Sequence, residues 1–123
     1  MKGLSFNCRG LANPDKKLAL KRLCLSEKLD FLMLQETLGD GSSVLQTLKP
    51  FLHDWEFFFL DVRGRSRGCA LVFNKKSIRI SNVWGGKGFL GADVISTSLN
   101  LSLRIFNIYG PCKHREAFWE SLL

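Results

Sequence analysis

The sequence predicts an α/β fold, a layered sheet with helices packed against it. Two observations carry that reading. The first part of the chain alternates strand, helix, strand and helix, and the remainder is a series of short apolar runs broken by turn residues. A third sets the scale: 123 residues, 46% hydrophobic and 24% charged, suit one small domain with a core and exclude a disordered chain.

Leu4 to Cys8 reads as the first strand. Asn13-Pro14-Asp15 starts a helix, because Asn13 can cap free N–H groups and Pro14 suits the first helical position. Lys16 to Lys28 continues it, with Ala19, Leu20, Leu23 and Cys24 as an apolar stripe at helical spacing. Phe31 to Gln35 is a buried strand, and a strand-helix-strand unit implies parallel neighbours in one sheet. Ser43 to Leu52 reads as a short helix broken at Pro50, and Trp55 to Leu60 as an aromatic strand. Cys69 to Phe73 and Ile78 to Trp84 read as a hairpin around Asn74-Lys75-Lys76, followed by a loop from Gly85 to Gly88. Val94 to Ser98 and Leu103 to Tyr109 form a second pair around residues 99–102, and Gly110-Pro111 stops the last strand. Lys113 to Leu123 reads as a helix with Phe118, Trp119 and Leu122 on one face; the chain ends inside that face, the pattern expected of a fragment.

No apolar run reaches the length of a membrane span, and MKGLSFNCRG is no secretory signal, so a nuclear or cytoplasmic location is expected. Cys8, Cys24, Cys69 and Cys112 form no Cys-x-x-Cys pair, which argues for reduced, buried thiols over zinc. His53 and His114 stand alone. The net charge of +7 is local: Val62 to Gly91 holds seven basic residues and no acidic one, while the rest balances at eleven and eleven. Such a block suits a polyanion, nucleic acid first, with Arg63, Arg65, Arg67, Lys75 and Lys76 as candidate contacts. A solvated basic face without a specific partner explains it equally well.

Three strand ends carry groups of chemical interest. Asn7 closes the first strand, Glu36 follows the second, and Tyr109 closes the last. Carboxyl ends of parallel strands line a common crevice, so these side chains can converge. A glutamate there offers a hard oxygen for Mg²⁺, which takes one or two carboxylates plus water and phosphate oxygens. Asn7 can hold that carboxylate or a metal-bound water, and the Tyr109 hydroxyl can donate to a phosphate. Taken singly, each is also an ordinary strand-end residue.

The blocks SFNCRGL, FLMLQET and IFNIYGP, in that order, resemble the first three blocks of the endonuclease/exonuclease/phosphatase superfamily. The wording is most similar to the endonuclease domain of plant LINE-type non-LTR retrotransposons. Arg115 to Trp119 and the glycine-led run Gly68 to Phe73 extend the resemblance over essentially the whole chain. It implies a four-layer αββα sandwich. Residues 1–123 would form its first half, one mixed, mainly antiparallel sheet with flanking helices and an uncovered face. It further implies Mg²⁺ as cofactor, Glu36 as metal ligand, Asn7 at the metal, Tyr109 on the scissile phosphate, and DNA as partner.

Departures from the pattern matter as much. The family's Gly-Asp-x-Asn and Ser-Asp-His blocks do not occur in this sequence, and Phe6 replaces the usual tryptophan. Those blocks position the water and handle the proton, and in phosphoryl transfer positioning and charge supply nearly all the catalysis. The expectation is a truncated phosphodiesterase domain without useful turnover by itself, completed by a missing half or a second chain. A non-catalytic basic nucleic-acid-binding module and a fragment of a phosphatase of the same superfamily remain as alternatives.

Overall fold

The computed structural model describes residues 1–9, 13–37, 41–60, 68–86 and 88–108. The readings on Arg63, Arg65, Arg67, Tyr109, Cys112, His114 and the helix at 113–123 lie outside them. In chain order the elements are β1 (Gly3–Asn7), α1 (Pro14–Ser26), β2 (Phe31–Gln35), α2 (Gly41–Leu48), β3 (Trp55–Leu60), β4 (Cys69–Asn74), β5 (Ile78–Gly86), β6 (Phe89–Ser96) and β7 (Leu101–Ile108).

The start of α1 follows from its sequence. Asn13 accepts the Asp15 N–H at 2.9 Å, and Pro14 needs no partner in the first turn. The helix stops at the Glu27 cap, whose N–H reaches the Leu23 carbonyl at 3.0 Å, and Lys28 then turns left-handed at φ 51°. Leu20 and Cys24 of the expected stripe are buried; Leu23 is half-buried and Ala19 is exposed. α2 ends at Leu48 rather than Leu52, because the residue before a proline disfavours helical backbone, and Lys49 precedes Pro50.

The α/β sandwich class holds, with a different division of strands. Instead of one sheet there are two: a four-stranded sheet in the order β1-β2-β4-β3 and a three-stranded sheet in the order β5-β6-β7. β1 and β2 are parallel, as the strand-helix-strand unit requires, and every other pair is antiparallel.

β4 and β5 therefore do not form a hairpin. The tight turn exists, with the Lys76 N–H bonded to Asn74 Oδ1 at 3.0 Å, but it carries the chain from one sheet to the other. β4 has no free edge for β5, since β2 and β3 already flank it. The second pair does form, as β6–β7, with Asn100 at φ 50° in its turn. β6 starts at Phe89, so residues read as loop belong to strands: Gly85 and Gly86 pair with Leu90 and Phe89. Gly91 is tolerated mid-strand because its cross-strand partners Trp84 and Phe106 lie over it, and a Cβ there would meet the Trp84 ring at 2.9 Å.

Two cores follow from the layers. Leu20, Cys24, Leu32, Leu34, Leu48, Ala70 and Val72 pack between the helices and the four-stranded sheet. Leu71, Phe73, Ile78, Leu90, Ala92 and Val94 pack between the two sheets, with Phe31, Met33 and Phe58 against them. β4 is buried on both faces, which explains its unbroken apolar run CALVF. The face expected to be open is thus covered by β5–β7. No helix among the described residues is long and apolar enough to cross a membrane.

Candidate functional site

Parallel pairing puts the ends of β1 and β2 side by side, with Asn7 opposite Gln35 and the Cys8 N–H bonded to the Gln35 carbonyl at 2.8 Å. Glu36 follows directly, half-buried. Asn7 and Glu36 therefore lie at the same end of the sheet, on neighbouring strand ends. β7 arrives at the same end from the other sheet: Asn107 Oδ1 accepts from Gln35 Nε2 at 2.7 Å. β7 ends at Ile108, one residue before Tyr109, which lies outside the described residues.

The backbone marks this end. Glu36 has φ 52° and Arg9 has φ 46°, the left-handed region that costs a side-chain-bearing residue about 1–2 kcal/mol. Such conformations cluster at functional sites, where surrounding structure holds them. A stability test follows. Glu36→Gly and Glu36→Ala both remove the carboxylate, but only glycine adopts this φ freely. Glu36→Gly is expected to be the more stable by about 1 kcal/mol in urea unfolding, the reverse of the order at an ordinary position.

Asn7 Oδ1 accepts the Arg9 N–H at 3.2 Å, which fixes the amide and leaves a lone pair for a further partner. Glu36 and Asn7 are hard oxygen donors of the class Mg²⁺ takes, with water and phosphate completing the shell. Among the described residues no three His, Cys, Asp or Glu side chains gather as a metal cluster. These two groups fit a cation bound through one carboxylate. The neighbouring thiols are buried. Burial pushes Cys8 up to about 12, with Lys16 pulling the other way, and burial pushes Cys69 up to about 12. Both are free, neutral thiols at neutral pH, as is Cys24.

The basic candidates divide. Leu60 and Cys69, which flank the Arg63–Arg67 segment, are paired beside Gln35, and the Thr37 N–H reaches the Gly68 carbonyl at 3.3 Å. Lys75 and Lys76 lie beyond Asn74, at the opposite end of β4. Five strand steps separate the two ends, roughly 17 Å. Lys76 there pairs with the Asp54 carboxylate at 3.5 Å, and His53 contacts the same group at 3.4 Å. The structure does not bring these lysines to Glu36.

Sequence reasoning missed Ser5, Gln35 and Asn107. One signal was present: Leu101, Leu103, Ile105 and Asn107 alternate on one face of β7, so an amide occupies an inward position.

The fold is a layered α/β sandwich with Asn7 and Glu36 at neighbouring strand ends. The chain belongs to the Endonuclease/Exonuclease/phosphatase family, whose model matches residues 4–116. Solved structures share the fold. They include humanized D. rerio TDP2 (17% identity, TM-score 0.65, 97% of this chain and 52% of that chain). The human Nocturnin catalytic domain follows at 14% identity and TM-score 0.66, covering 95% of this chain and 55% of that chain. The Xenopus laevis APE2 catalytic domain has 17% identity and TM-score 0.60, over 96% of this chain and 49% of that chain. The chain therefore spans about half the length of these structures. No curated protein sequence matches it.

Proposed function

We propose that residues 1–123 are the N-terminal half of a Mg²⁺-dependent phosphodiesterase domain of the retrotransposon DNA-endonuclease type, without turnover by itself. The juxtaposition of Asn7 and Glu36 at the shared end of β1 and β2 carries this reading. Glu36 would hold the cation and Asn7 would orient a group beside it, with Tyr109 contacting phosphate. When bound, the cation supplies neutralisation of charge on a phosphate. Arg63, Arg65 and Arg67 would add phosphate contacts, since their segment joins strand ends beside Gln35. TDP2 has been solved with a single-strand DNA product, which supports DNA as the substrate class. The retrotransposon type rests on the wording of the three sequence blocks.

Inactivity follows from the absent Gly-Asp-x-Asn and Ser-Asp-His blocks. The test uses supercoiled plasmid with Mg²⁺. The chain alone should not nick. The chain joined to a relative's second half should, and Glu36→Ala should reduce that nicking by two or more orders of magnitude, about the loss seen when a charge-stabilising group is removed. Nicking by the chain alone, unaltered in Glu36→Ala, would overturn the assignment.

A further inference from the structure

We propose that Asn107 is a positioning residue that, through Gln35, fixes the strand end carrying Glu36. The functional weight of this inference rests on the reading of Glu36 as a metal ligand; its geometry does not.

Asn107 is 1% exposed and sits between the sheets. Its Nδ2 donates to the Leu34 carbonyl at 3.0 Å and to the Ala70 carbonyl at 2.8 Å. Those residues are paired neighbours on β2 and β4. Two carbonyls demand two donors, so the amide orientation is set, and Oδ1 is left to accept from Gln35 Nε2 at 2.7 Å. Gln35 Nε2 also lies 3.1 Å from Ser5 Oγ on β1. One side chain of the three-stranded sheet thus grips two strands of the other, β2 and β4, and Gln35 extends the network to β1.

An apolar residue at position 107 would avoid the desolvation of an amide, so its burial needs a compensating role. Hydrophobic contact between two sheets is non-directional and permits small slides. A satisfied amide does not, because moving it strands buried donors and acceptors without partners. The grip falls one residue before Glu36 and two before Tyr109. It locks the ends of β2 and β7 together where the site is built.

The test is amide hydrogen exchange on the full chain, with Mn²⁺ broadening of NMR signals as the metal probe. Asn107→Ala and Gln35→Ala should each speed exchange at Glu36 and Thr37 by tenfold or more and leave Ala92 and Val94 on β6 near wild type. The double variant should add little to either. Gln35 is only half-buried, so Gln35→Ala serves should Asn107→Ala not fold. Unchanged exchange at Glu36 and Thr37, or a uniform rise across both sheets, overturns the proposal. Mn²⁺ should broaden Asn7 and Glu36 signals in wild type but not in Glu36→Ala, and Gln35→Ala should need tenfold or more Mn²⁺ for the same effect. Broadening that ignores Glu36→Ala sinks the metal reading alone, because the exchange results then still decide the positioning role.

Discussion

Phe73→Ala is expected to cost the chain about 3–5 kcal/mol, a large share of its folding stability. Phe73 is fully buried on β4, with its ring 6.2 Å edge-on from Phe58 and 6.4 Å from Phe31. Removing a buried phenylalanine costs about 3–5 kcal/mol in transfer and cavity terms. A small domain holds only about 5–15 kcal/mol in total. The measurement is urea unfolding followed by near-UV circular dichroism. The result also discriminates between architectures. Had β4 and β5 formed a hairpin in one open-faced sheet, Phe73 would face solvent. Its loss would then fall within about 0.5 kcal/mol. A cost near zero would contradict the packing of the three-stranded sheet over β4.

That contrast shows where sequence reading stopped. β2 and β3 were legible to the residue, because FLMLQ and WEFFFL are dense apolar runs between polar stops. The α1 start was legible because Asn13-Pro14 is local chemistry. The partner of β5 was not. Asn74-Lys75-Lys76 makes the same tight turn whether it closes a hairpin or carries the chain between sheets. Only the occupation of both β4 edges decides, and that is a non-local fact. β6 was read too short because Gly88 and Gly91 look like loop until the rings of Trp84 and Phe106 are placed over Gly91.

The site divides in the same way. Asn7 and Glu36 were legible because a polar residue ending an apolar strand stands out in one dimension. Parallel pairing then sets them at the same end of the sheet. Gln35 and Asn107 were hidden because their meaning lies in a contact across 72 positions of sequence. The left-handed backbone at Glu36 was also invisible, since no glycine marks it.

Leu20→Ala is the second large effect expected, about 2–5 kcal/mol. Leucine and alanine are both strong helix formers, so the change leaves the intrinsic stability of α1 nearly intact. The loss is therefore packing, and Leu25 supplies the control. It lies on the same helix at 65% exposure, so Leu25→Ala should stay within about 0.5 kcal/mol in the same urea titration. Equal costs for the two variants would show that α1 is not seated on the sheet through Leu20. The consequence reaches the site. α1 is the crossover between two parallel strands, which no tight turn can join. β1 has five residues and a single strand neighbour among the described residues, so its place depends on that crossover. Loosening α1 should release β1 before β4, which is clamped on both edges and both faces. Exchange at the Cys8 amide, bonded to the Gln35 carbonyl, should then rise more than exchange at Leu71. Asn7 would leave Gln35 while the inter-sheet core persists, so the paired end of β1 and β2 should fail at a lower urea concentration than the fold that carries it.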